Sequence, residues 1–91
     1  ALGMMAEMEY EQRQVSLAFG DVLLLYTDGI VEAMNKKEDL FGESRLRSAL
    51  TAAAGLSAHE ILDGILRDLA GFTEGMEQSD DITAVVIKVT G

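Results

Sequence analysis

The stretch from Gly20 to Glu32, GDVLLLYTDGIVE, limits what this chain can fold into more than any other. Gly20-Asp21 is a turn signal, Val22 to Tyr26 is an unbroken apolar run, and Thr27-Asp28-Gly29 is a polar stop. An apolar run this short, bounded by turn residues, fits a strand buried on both faces and cannot make a buried helix. Asp28 puts a carboxylate just past the rigid end of that strand, and Gly29 lets the backbone bend after it. Such a position suits a metal ligand. It equally suits a helix cap, because Asp is a favoured N-cap residue.

The flanking segments follow from their periodicity. From Ala6 the pattern alternates, with Met8 and Tyr10 apolar between Glu7, Glu9 and Glu11, which predicts a strand with one wet face. Gln12 to Gln14 reads as a turn, and Val15, Leu17 and Phe19 alternate again. Gly20-Asp21 would join that strand to Val22–Tyr26 through a type II′ hairpin, so the first third is expected to be an antiparallel meander. Beyond Gly29 the period changes. Ile30, Val31, Ala33 and Met34 predict a short helix closed by the polar run Asn35 to Asp39. Leu46, Ala49, Leu50 and Ala53 carry helical spacing, with Gly55 as a stop. Ser57 and Glu60 fit a capping box ahead of the stripe Ile61, Leu62, Ile65, Leu66, Leu69 and Phe72. Glu74 to Ser79 is a polar loop, and Asp80-Asp81 leads into a β-branched strand, Ile82 to Val89.

Composition removes several classes of function. With 48% hydrophobic residues against 25% charged, the chain has ample apolar material for a core, which argues against disorder. Sixteen acidic against seven basic residues give a net charge of −9, a poor match for nucleic acid or an anionic membrane surface. Without cysteine there is neither a disulfide framework nor a thiolate metal site. No apolar run approaches the roughly 20 residues of a membrane span. The start, ALGMMAEMEY, lacks the pattern of a signal peptide, so a cytoplasmic protein is expected. At 91 residues the chain is one domain or part of one. Its apolar, unpunctuated opening and its lack of proline point to part of one.

Two acidic positions stand out by placement. Asp28 lies just past the C-terminal end of one predicted strand, and Asp80-Asp81 just before the N-terminal end of another. If those strands run antiparallel in one sheet, both positions come to the same end of it. Carboxylates converging there would form a hard-oxygen site suited to magnesium or manganese. The structural alternatives are a helix cap at Asp28 and a loop closure at Asp80 or Asp81. Met4, Met5, Met8, Met34 and Met76 read as core or surface filler. His59 falls in an exposed first helical turn, and Lys36-Lys37 is a solvated loop pair. The sequence has no glycine-rich phosphate loop, nucleophile elbow, His-x-x-x-His pair or EF-hand calcium loop.

GDVLLLYTDGIVEAMN, LFGESRL and SDDITAVVIKV, in that order and spacing, together resemble the C-terminal half of the metal-dependent type-2C (PPM) protein phosphatases. The similarity is greatest to the bacterial SpoIIE-like subfamily with its RsbU-type regulators, and Leu2-Gly3 resembles the LG that precedes its strand pair. It covers nearly the whole chain. The resemblance implies an α+β fold, a fragment of a four-layer α/β/β/α sandwich in which antiparallel strands pack with two or three helices. It also implies two manganese or magnesium ions, with a metal-activated water attacking phosphoserine or phosphothreonine in line. By position, Asp28 and Asp80 would be metal ligands and so catalytic. Gly29 and Asp81 would support them, since many relatives have asparagine at the place of Asp81. Thr83 would be structural.

The family's upstream acidic ligands and its glycine-histidine-glycine segment do not occur in this sequence. Residues 1–91 are therefore expected to be the C-terminal part of a phosphatase domain, inactive alone and self-associating as a homodimer through uncovered strand faces. The implied substrate is a phosphorylated STAS-type anti-anti-sigma protein. The rival is a non-catalytic regulatory or protein-binding module with an incomplete metal site.

Overall fold

A computed structural model describes residues 3–8, 18–76 and 82–89. Its elements in chain order are β1 (Met4–Glu7), β2 (Val22–Tyr26), α1 (Asp28–Val31), α2 (Gly42–Ala53), α3 (Ala58–Phe72) and β3 (Ala84–Lys88). The architecture is α+β, as expected. The three strands form one sheet in the order β1-β2-β3, with the apolar run Val22–Tyr26 at its centre.

Alternation along β2 sends its side chains to two faces. Val22, Leu24 and Tyr26 enter the main core with Ile30, Phe41, Leu46, Leu50, Ile61, Ile65 and Leu69 from the helical side. Leu24, Ile30, Leu46, Leu50, Ile61 and Ile65 are almost wholly removed from water. Each such burial stabilises the fold by about 1.5–3 kcal/mol before chain entropy is counted. On the opposite face Leu23 is also buried, while Val85 and Ile87 of β3 remain about two-fifths exposed (41% and 40%). The central strand is thus buried on both sides and its antiparallel neighbour on one.

The expected meander is not what forms. β1 spans Met4–Glu7, starting before the alternating stretch, and pairs directly with β2 in parallel, Met4 opposite Leu23 and Glu7 opposite Tyr26. The segment between them is long enough for the crossover of about a dozen residues that a parallel pair requires. β3 takes the other edge of β2 in antiparallel register. Among the described residues both edges of β2 are thus occupied. The turn and strand expected within 9–17 lie outside the described residues. Gly20 also departs from its expected role. The Asp21 amide donates to the Ala18 carbonyl at 3.0 Å, which makes Gly20, at φ +88°, the third residue of a type II turn. That turn is tied to the end of β3 by Gly20 N–H to Val89 O (2.9 Å) and Val89 N–H to Asp21 O (3.0 Å).

The first helix is shorter than its apolar residues predict. It ends at Val31, and Ala33 and Met34 enter a tight loop closed by a Met34–Leu40 bridge. The Asn35 side chain explains the break. Its Oδ1 accepts from the amides of Lys37 (2.9 Å) and Asp39 (3.0 Å), giving the backbone a non-helical alternative. α2 begins at Gly42, and Arg45 donates to the carbonyls of Leu40 and Phe41 across its entry. The Arg45 guanidinium also lies 4.5 Å above the Phe72 ring, which meets Phe41 edge-on at 5.4 Å. The capping box of α3 is formed as predicted: Glu60 N–H donates to Ser57 Oγ (3.2 Å) and Ser57 N–H to Glu60 Oε1 (3.3 Å). Lys88 of β3 reaches the C-terminal end of α2, where its Nζ donates to the carbonyls of Ala54 and Leu56.

Candidate metal centre

The last ladder pair of β2 and β3 is Tyr26 opposite Ala84, so the C-terminal end of one strand meets the N-terminal end of the other. Contact continues one residue further. Thr27 N–H donates to Thr83 O at 3.0 Å, and Thr83 N–H donates to Thr27 Oγ1 at 3.0 Å. The Thr27 hydroxyl also approaches Thr83 O at 3.4 Å. Thr27 is buried, at 8% exposure. Its side chain therefore extends the strand pairing past the end of the sheet, up to the residue before Asp28.

Asp28 opens α1 and is half-buried, with buried Gly29 after it. The helix-cap alternative is corrected here. The cap position belongs to Thr27, which makes no side-chain cap hydrogen bond, and Asp28 lies within the first turn. Among the described residues no group donates a hydrogen bond to the Asp28 carboxylate. Asp80 and Asp81 lie outside the described residues; the chain they lead into is the strand end held at Thr83.

Parallel pairing brings a further acid to this end of the sheet. Glu7, the last residue of β1, stands opposite Tyr26. Burial pushes the Tyr26 hydroxyl above its usual pKa, and the negative charges of Glu43, Glu7 and Asp28 push it the same way against the pull of Arg47. Three carboxylates from β1, α1 and α2 thus act on one tyrosine. Reading the sequence missed Glu7 and Glu43. Glu7 looked like a residue of a strand's wet face, and only the parallel register reveals that it shares an end with Asp28.

Oxygen-only donors of this kind suit a hard divalent cation. Asp28 fits the part of a ligand by chemistry and by place at a rigid strand end. Among the described residues no three acidic or histidine side chains converge closely enough to hold a metal. His59 is not near such a role: on the exposed face of α3 its Nε2 lies 3.3 Å from Asp63 Oδ2, one helical turn along. Lys36 and Lys37 are exposed at the tip of the Asn35–Asp39 loop, as expected.

An α+β layer with an acidic sheet end at a TDG corner is the setting in which the sequence comparisons fall. Residues 1–90 match the Stage II sporulation protein E (SpoIIE) family, and the chain belongs to that family of PPM-type phosphatases. Phosphatases of this type are metal-dependent. Among curated proteins the chain is similar to Protein IcfG of Synechocystis sp. (strain ATCC 27184 / PCC 6803 / Kazusa), 36% identical over 87 residues. The alignment covers 96% of this chain and 14% of that relative, so the chain spans about one-seventh of its length. No solved structure matches. No helix among the described residues is long and apolar enough to cross a membrane.

Proposed function

We propose that this chain is the C-terminal part of a phosphatase domain that hydrolyses phosphoserine or phosphothreonine on a regulatory protein. The observation that carries the reading is the antiparallel pairing of β2 and β3, continued by the Thr27–Thr83 bonds. It brings the corner at Asp28 to the strand end entered from Asp80-Asp81. In this reading Asp28 and Asp80 hold manganese or magnesium, with Gly29 and Asp81 in support. When bound, the metal lowers the pKa of water and neutralises phosphate oxygens. Asp28 would orient its share of the site from a rigid strand end, with the buried Gly29 following it in α1. A STAS-type phosphoprotein is the proposed substrate and the cytoplasm the proposed location. Two carboxylates are too few for a two-ion centre, so residues 1–91 by themselves would be inactive. The exposed Val85 and Ile87 would support association of two copies.

The test is manganese-dependent hydrolysis of a phosphoserine protein by the full-length protein and its Asp28→Asn and Asp80→Asn variants. Turnover in the parent and loss in both folded variants is expected. If the parent is folded and inactive, the chain is a non-catalytic binding module instead.

A further inference from the structure

We infer that the loop 35–39 and the adjoining ends of α2 and α3 form a docking surface for an acidic segment of the phosphoprotein, read by Lys36 and Lys37; this rests on the phosphatase reading. Two open grooves meet at this surface and share Phe72. One, of about 630 Å3, runs between Lys36 and Lys37 and the end of α3 at Gly71, Glu74 and Gly75. The other, of about 400 Å3, lies between Phe41, Arg45 and Ser48 on the α2 side and Asp68 on α3.

Charge selects the occupant. With sixteen acidic residues against seven basic, most of the chain repels an anion. Lys36, Lys37 and Arg45 border the two grooves, against Asp39, Asp68 and Glu74. Three of the seven basic residues but only three of the sixteen acidic ones thus meet here, which makes the surface neutral within a chain of net charge −9. An acidic segment meets less repulsion here than over the rest of the chain, and Lys36 and Lys37, both exposed, offer it two ammonium groups. Half-buried Phe72 adds an apolar contact between the grooves.

The loop is also shaped in advance. Asn35 Oδ1 holds the amides of Lys37 and Asp39, and across the base Phe41 N–H donates to Ala33 O at 2.7 Å. Arg45 ties the loop to α2 through the carbonyls of Leu40 and Phe41. On the other side Lys36 crosses Gly75, where a Cβ would stand 2.5 Å from Lys36 Cε, so the loop and the end of α3 approach closely. A surface fixed before binding loses less conformational entropy when a partner arrives.

The experiment uses two synthetic phosphoserine peptides, one flanked by Asp and Glu and the other by Asn and Gln, with p-nitrophenyl phosphate as a substrate too small to dock. The full-length protein is assayed with Mn2+ beside Lys36→Glu/Lys37→Glu, Lys37→Glu alone and Arg67→Glu, an exposed cation of α3 that borders neither groove. We expect the parent to favour the acidic peptide in kcat/KM by about tenfold, with the preference lost in the double variant, reduced in Lys37→Glu and kept in Arg67→Glu. Hydrolysis of the neutral peptide and of p-nitrophenyl phosphate should be unchanged in all three. A parent without the preference, or a double variant that keeps it, overturns the inference. An equal loss in Arg67→Glu overturns it too, because net charge alone would then explain the effect. Lys37→Glu leaves Lys36 against Gly75 and decides the matter if the double variant does not fold: an unchanged preference there overturns the inference. A folded parent that hydrolyses none of the three substrates would instead remove the phosphatase reading itself.

Discussion

Tyr26 shows how one side chain registers everything gathered at its end of the sheet. Its ring fills the core below Asp28, and its hydroxyl is raised above the ordinary tyrosine pKa of about 10 by burial first and by the surrounding carboxylates second. Ionisation is therefore harder in the folded chain than in the unfolded one. The stability this represents is complete below about pH 10 and is lost as pH rises through the raised folded value. Melting temperatures should fall steeply in the parent above about pH 10. Tyr26→Phe keeps the packing and removes the titrating group, so its curve should be flatter across that window while matching the parent near neutrality. Equal slopes would mean that the alkaline loss comes from other groups.

Helix α3 was the most legible element because its signals are local. Ser57 and Glu60 stand three apart, and the apolar stripe recurs at helical spacing, so start and buried face follow without knowledge of any partner. Ser57 holds the Glu60 carboxyl below its ordinary value of 4.5 through its side chain first and its backbone second. That contribution is present above the ordinary value and fades as pH falls through the lowered one. Ser57→Ala should cost about 1 kcal/mol in urea unfolding at neutral pH. The gap between variant and parent should narrow below pH 4.5, once Glu60 protonates. Helix α1 gave the opposite outcome. Its apolar residues continue past Val31, but Asn35 draws the backbone into a loop, and that competition is invisible to a count of apolar spacing.

The whole sheet is asymmetric. One face carries α2 and α3 over Val22, Leu24 and Tyr26, and the other buries Leu23 while leaving Val85 and Ile87 partly open. Apolar side chains at adjacent positions of an exposed strand face are a natural contact for a second apolar surface. If two copies of this chain associate there, replacing both Val85 and Ile87 by lysine should convert a dimer to a monomer in sedimentation velocity at micromolar concentration. A dimer that survives both lysines would place the contact elsewhere.

Local chemistry accounts for what could be read directly from residues: the buried run Val22–Tyr26, the box at Ser57–Glu60, and a strand after Asp81. It also singled out Asp28, because a carboxylate after a buried strand is conspicuous from neighbours alone. Direction and pairing could not be read the same way. An alternating segment looks identical whether its partner runs parallel or antiparallel, since side-chain period is set within the strand and register is set between strands. Only the tertiary structure placed β1 beside β2, carried Glu7 to the end where Asp28 lies, and gave the antiparallel edge to β3. The Thr27–Thr83 bonds belong with those outcomes. They join residues 56 apart in sequence, and long-range contacts of this kind exist only once the sheet has formed around them.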